Sequence, residues 1–383
     1  MESLRIGVAV PPMLSVPPAG YAGTERVVAS LVEELHRRGH KVTLFAAGDS
    51  QVDCERVPIV PKSLWSMGYR GNVANYIALA VAAVWREHAR LDIIHSHLET
   101  TAFPMARHCP TPVVSTLHGR LDTAGTPELF REFTDIPLVA ISESQRRWFP
   151  HNNWVATIHH GLNMESAPFS SRPGDYLAFV GRTAPEKGIR QSIELARRVG
   201  MTLRIAAKVY DETEQAHFDE VVAPAVKEGV AEFLGELPPS QRDPLMAGAR
   251  ATLMLGQWPE PFGLVAIESL ATGTPVIARR AGALTETIEH GVDGFLVDDL
   301  SEAALAVELV GDLDRANIRD RALQRFSPEH MVDQYEDVYR KLLEVRGDDE
   351  RPPFAKIRAI PVGTNNADGD LTGSEDLAEE PAG

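Results

Sequence analysis

The sequence predicts an α/β protein made of two doubly wound parallel-sheet domains in tandem. Three observations support this. Short β-type runs alternate with helix-length amphipathic segments along most of the chain. The strand candidates are nearly continuous apolar runs, the mark of strands covered on both faces. The alternation also restarts after a polar, turn-rich stretch, HHGLNMESAPFSSRPGDY at 159–176. At 383 residues the chain is long for one core, and ordinary domain sizes favour two.

In the first half, LRIGVAV, KVTLFAA, LDIIHSH, TPVVSTLHG and PLVAIS read as strands bounded by Gly, Pro, Ser and Asp. TERVVASLVEELHRRG is a helix with Val27, Val28, Leu31, Val32 and Leu35 on one face, and Gly39 is placed to end it. YIALAVAAVW, at 76–85, is too short to span a bilayer and reads as a buried helix in preference to a membrane-surface one. In the second half the strands are DYLAFVGR, TLRIAAK, AEFLGEL, ATLMLG, TPVIARR and GFLVDD. The expected boundaries are 1–165 for the first domain and 175–327 for the second. A helix at 328–346, with Met331, Tyr335, Val338, Leu342 and Leu343 on one stripe, is expected to cross back to the first domain. Residues 348–383 are acidic and rich in Pro and Gly, and are expected to be a disordered tail.

The net charge of −16 is uneven, because the stretch from Asp348 onward holds nine acids and three bases and so carries −6 of it. The remaining excess of acid excludes a nucleic-acid lattice as partner, yet a pocket with one Arg and one Lys could still hold a single phosphorylated small molecule. Two cysteines, Cys54 and Cys109, suit a reducing compartment better than a disulfide framework. The start, MESLRIGVAVPPM, reads as a first strand and not a signal peptide, so a cytoplasmic location, with or without peripheral membrane contact, is expected.

Three motifs carry candidate chemistry. In FVGRTAPEKGIRQSIELA a strand ending at Val180 turns into a helix starting near Gly188, and Arg182 and Lys187 can both face the cleft, where their charges suit a diphosphate. In AGYAGTERVV, Gly20 and Gly23 stand between the first strand and first long helix, allowing backbone N–H groups to approach a phosphate. In QWPEPFGLVAIESLATGTPVIA, two prolines keep Glu260 on a loop, a helix opens at Gly263, and Glu268 falls one turn inside it. The amides of Gly263, Leu264, Val265 and Ala266 are expected to be free for an anion, and Glu268 can accept two vicinal hydroxyls, as ribose recognition requires.

These runs, together with TLHG and VDGFLVDD, resemble the retaining glycosyltransferases of family 4, whose E-x7-E signature is met by Glu260 and Glu268. The likeness extends over about residues 4 to 345. It implies a GT-B fold, in which two Rossmann-like domains face a central cleft and a C-terminal helix crosses back. It also implies transfer of a hexose from a nucleotide-diphosphate sugar to a hydroxyl acceptor, with retention and with no metal or other cofactor. UDP is favoured over GDP; the acceptor is a sugar, glycolipid or small molecule. By position, Arg182 and Lys187 correspond to the pair that neutralises the leaving diphosphate, Glu268 to the ribose acceptor, and Glu260 and His118 to residues at the donor sugar. Gly263 to Ala266 correspond to the amides holding donor hydroxyls, and Gly23 to the second glycine of the N-terminal turn. Two positions depart from the pattern: Ala22 replaces a glycine, and His160 replaces an asparagine in an I-x-N-G turn. His95 and His97 have metal-like H-x-H spacing but no third ligand, and read as strand-end packing or acceptor contact. A GT-B epimerase or hydrolase and a non-catalytic nucleotide-sugar-binding protein are the alternatives.

Overall fold

The computed structural model describes residues 3–20 and 22–345, so the acidic tail expected at 348–383 lies outside the described residues. Apolar runs form two parallel sheets. The first contains β1 (Arg5–Ala9), β2 (Lys41–Ala46), β3 (Glu55–Pro58), β4 (Ile93–Ser96), β5 (Val113–Thr116), β6 (Leu138–Ala140) and β7 (Trp154–Thr157), in the order β3-β2-β1-β4-β5-β6-β7. The second contains β8 (Tyr176–Arg182), β9 (Thr202–Lys208), β10 (Ala231–Phe233), β11 (Ala251–Met254), β12 (Val276–Arg279) and β13 (Gly294–Val297), in the order β10-β9-β8-β11-β12-β13. In register, Ile6 of β1 sits beside Val42 on one side and Ile93 on the other, and Ile6, Leu44 and Ile93 are fully buried. Burial on both faces is why these strands read as unbroken apolar runs.

Two strands were not legible, and both are edges. β3 is ERVP, largely exposed, and β7 is WVAT, with only Trp154 buried. A strand with one open side has no need of an apolar run, so its pattern is weak. Another difference concerns β8, which continues through Gly181 to Arg182 instead of ending at Val180.

The stretch 159–176 is not a loose connector. Its beginning is pinned: Leu162 N–H donates to Phe326 O at 3.0 Å, and a Cβ built on Gly161 would lie 2.2 Å from Ser327 O. Immediately after this contact the helix Pro328–Val345 begins. It packs on the first sheet's side, against the helix Gly23–Arg37, with Met331, Tyr335 and Val338 buried as the stripe predicts. Tyr339, outside the expected stripe, is also fully buried; its hydroxyl lies 2.8 Å from His95 Nδ1, while the Tyr335 hydroxyl lies 3.0 Å from Thr116 Oγ1. Arg38 adds ion pairs to Asp333 and Glu336, at 2.6 and 3.1 Å.

The helix Ala74–Glu87 is less buried than YIALAVAAVW suggests. Ala80, Ala83 and Val84 face the core, but Leu79 is 52% and Trp85 43% exposed. No helix of the described residues is long and apolar enough to cross a membrane. Cys54 and Cys109 are not joined to each other by a disulfide.

Replacing Tyr339 with Phe keeps the packed ring but strips His95 Nδ1 of its partner in a buried site. The expected cost is about 1–3 kcal/mol of unfolding free energy, measured by urea denaturation of the two proteins side by side.

Candidate functional site

The strand order reverses between β1 and β4 and again between β8 and β11. An open parallel sheet leaves a crevice beyond the carboxyl ends of its strands at such a point. At or beyond the carboxyl ends of these strands and of β5 stand Gly23, at a helix start, Arg182, the last residue of β8, and His97, His118 and Glu260 on loops. A cavity of about 420 Å³ opens there, walled by the ends of β8 and β9, by Glu236 and Leu237 after β10, and by Leu264 and Val265. Trp65 closes it from the first sheet's side.

Arg182 and Lys187 both reach this cavity, and each arrives with a carboxylate partner. Arg182 Nη2 lies 2.5 Å and its Nε 2.7 Å from Glu214 Oε1; Glu214 is buried and also accepts the Tyr210 N–H at 2.8 Å. Lys187 Nζ lies 2.5 Å from Glu260 Oε1 and 4.8 Å from the centre of the Trp258 ring. A third cation, Lys208, sits on the same wall 3.5 Å from Glu236. Charges facing an apolar, partly enclosed space are therefore neutralised in pairs.

The loop holding Glu260 is fixed from both halves of the molecule. Ala283 N–H donates to Glu260 O at 2.9 Å, and Ser142 Oγ, from the first sheet's side, donates to Pro261 O at 2.7 Å. Gly263 has φ of 89°, and a Cβ there would meet Leu284 Cδ2 at 2.8 Å, so both backbone and space require glycine. The helix Leu264–Ala271 then begins, but the four expected free amides are reduced. Ala266 N–H donates to Gly263 O at 2.9 Å, because the first turn closes on itself.

Glu268 is buried at 4% exposure. Its Oε1 accepts from Arg26 and, at 2.8 Å, from Arg242, while Oε2 is buried without a partner. Arg242, and not Glu268, lines the cavity. Arg26 comes from the helix Gly23–Arg37, so this carboxylate ties the two halves together. Gly23 opens that helix, and a Cβ on it would lie 3.1 Å from Leu264 Cδ1, leaving little room for any side chain. Ala22 has φ of −152°, an extended conformation that alanine adopts without strain, so its substitution for glycine leaves the turn intact.

His118 stands between two other imidazoles. Its Nε2 lies 2.7 Å from His97 Nδ1, and its Nδ1 lies 3.3 Å from His160 Nε2. His95 packs behind, its ring 4.1 Å from that of His97 and its nitrogens on Tyr339 and Thr116, which is the strand-end packing expected of it. Burial pushes His95 and His118 down to about 3, and burial followed by neighbouring imidazoles holds His97 and His160 well below the usual range. Beside them Glu99, with a left-handed φ of 52°, accepts the backbone N–H of His118 at 2.9 Å; burial pushes its carboxyl up to about 7. Among the described residues, no group of three or more His, Cys, Asp or Glu is arranged to hold a metal ion.

Glu214, Arg26, Arg242, Trp65 and Glu99 were missed from sequence. Each lies far along the chain from its partner, and a lone charged or aromatic residue in a helical or loop segment carries no local signal.

Comparison with known proteins decides the family. Residues 21–166 match the family model described as Glycosyltransferase Family 4, and residues 167–317 that described as Glycosyl transferases group 1. The chain belongs to glycosyltransferase family 4. A D-inositol 3-phosphate glycosyltransferase of Mycolicibacterium smegmatis is 27% identical over 369 residues, spanning 83% of this chain and 84% of that one. Among solved structures, a glycosyltransferase involved in avilamycin A biosynthesis superposes with a TM-score of 0.69 at 23% identity, covering 89% of this chain and 98% of the other. HepE of Anabaena, in complex with UDP and glucose, gives a TM-score of 0.67 at 19% identity, covering 88% and 100%. The fold of this glycosyltransferase is GT-B.

The buried histidines of the glycosyltransferase make a pH prediction. Unfolded, an imidazole titrates near 6.5; folded, these four take no proton until far lower, so stability is present above that value and lost as pH falls through it. Glu99 acts in the opposite sense, its contribution falling as pH rises from the ordinary carboxylate range toward about 7. Unfolding free energy is expected to drop between about pH 7 and about pH 5. In His160→Gln the slope is expected to be shallower by about one proton, read from urea titrations at each pH.

Proposed function

We propose that this glycosyltransferase moves a hexose from a UDP-sugar to a hydroxyl acceptor with retention of anomeric configuration. The observation that supports this best is the Lys187–Glu260 pair, 2.5 Å apart on the cavity wall. It sets a cation suited to a departing phosphate beside a carboxylate suited to sugar hydroxyls. Arg182 and Lys187 would meet the diphosphate, exchanging their pairing with Glu214 and Glu260 for phosphate oxygens and stabilising charge that grows as the bond breaks. The release of Glu260 would leave its carboxylate for the sugar. Glu268, whose Oε2 is buried and unpaired behind the cavity-lining Arg242, would accept the ribose hydroxyl once Arg242 moves aside. In this reading the two cations carry the diphosphate charge, with no metal belonging to the protein.

Retention follows from attack on the face the diphosphate leaves. The bond from the anomeric carbon to the diphosphate oxygen breaks, the acceptor oxygen bonds to that carbon, and its proton passes to an oxygen of the departing diphosphate. No protein nucleophile is required. UDP is preferred as the carrier because HepE, which has this fold, is solved with UDP and glucose. The acceptor is a hydroxyl of a sugar, glycolipid or small molecule.

A thermal-shift panel of UDP, GDP, UDP-glucose and GDP-mannose is expected to show stabilisation by the uridine compounds, because a ligand bound only to the native state raises its melting temperature. Glu260→Ala and Lys187→Ala are each expected to lower turnover about 10²–10³-fold with circular dichroism unchanged. Near-wild-type turnover in either variant would remove that residue from the mechanism.

A further inference from the structure

His97, His118 and His160 form one chain of imidazoles through the two contacts at His118. Burial keeps all three neutral, so each ring has one N–H and one bare nitrogen. The two hydrogen bonds use two N–H groups and two bare nitrogens. One N–H and one bare nitrogen are left over, and they must stand at opposite ends of the chain. Those ends are His97 Nε2 and His160 Nδ1, both buried and both without a partner. Reversing the direction of the bonds exchanges donor and acceptor between the ends without removing the deficit. A buried polar atom left unpaired is destabilising, so the chain is incomplete as it stands. A hydroxyl completes either end in either direction, because it both donates and accepts.

The two ends lie in different places. His97 is beneath the C-terminal helix, its ring 4.1 Å from His95, which is itself covered by Tyr335 and Tyr339. His160 abuts the other half of the molecule, its ring 4.8 Å from that of Phe262, two residues from Glu260. Its backbone is held still by the neighbouring Gly161, which lies against Ser327 O and donates its N–H to Met331 Sδ at 3.1 Å.

We infer that His160 is a sugar-binding residue: its Nδ1 takes a hydroxyl of the donor sugar held at the Glu260 loop. Behind it, His118 and His97 fix the tautomer and orientation of the ring. Both nitrogens of His118 are occupied by its neighbours, which moves the sugar contact from His118 to the end of the chain. This rests on the nucleotide-sugar reading of the same cleft.

Two substitutions separate the nitrogens of His160. Glutamine places its amide near Nε2, keeping the link to His118 and losing the ligand contact; asparagine places its amide near Nδ1 and does the reverse. The affinities of UDP and UDP-glucose are measured by calorimetry on the full chain, with GDP and GDP-mannose in parallel. His160→Gln is expected to leave UDP affinity unchanged and to weaken UDP-glucose about three- to tenfold. His160→Asn is expected to keep most of the affinity that the sugar adds. Unchanged UDP-glucose binding in His160→Gln overturns the inference. So does an equal loss in both variants accompanied by a fall in melting temperature, which marks a packing role. Failure of all four compounds to bind the wild-type protein overturns the donor reading itself, and is seen before any variant is made.

Discussion

Where the chain leaves the first sheet and where it returns from the second, the two lengths of backbone press together. Gly161 lies so close to Ser327 O that no side chain fits between them, and Leu162 bonds the adjacent Phe326 O. This crossing constrains much of the rest. It sets where the helix Pro328–Val345 begins, and so directs Tyr335 and Tyr339 onto Thr116 and His95. It also holds His160 against Phe262, at the seam where the two halves meet. A longer or looser connection would leave the sheets intact but the seam undefined.

Across that seam, polar groups are paired with one another. Arg26 reaches Glu268, Ser142 holds Pro261 O, and Glu286 accepts the amide N–H groups of Glu143 and Ser144, both at 2.8 Å. Within the cavity, Arg182 and Lys187 are matched with Glu214 and Glu260. Unpaired charge in a partly enclosed space is costly, and the cations of the cleft are matched by its own acids. Glu268 Oε2, His97 Nε2 and His160 Nδ1 are among the buried side-chain atoms of the described residues that have no partner. They are informative because native interiors leave few such atoms unsatisfied.

The glycosyltransferase fold was largely legible because its strands are buried on both faces and its helices on one. The apolar runs predicted eleven of the thirteen strands among the described residues, and the stripe of Met331, Tyr335 and Val338 marked the crossing helix. Edge strands β3 and β7 escaped, since an edge needs no continuous apolar run. The candidate site was legible where a glycine or proline punctuated it: Gly263 and Pro259 framed Glu260, and Gly188, with φ of 78°, framed Lys187.

The sequence by itself determined which elements form and which residues stand at the carboxyl ends of the strands, because burial and turn geometry are local demands on residue type. Only the tertiary structure decided who partners whom. Glu214 with Arg182, Arg26 with Glu268, and His118 with His97 and His160 are matched across 32, 242, 21 and 42 positions. Such pairings follow from which loops the sheets bring together, and a charge or an imidazole has no spacing pattern that announces its distant partner. For that reason Glu260 could be placed from its own loop, while the imidazole neighbours of His118 could not be read from its own motif.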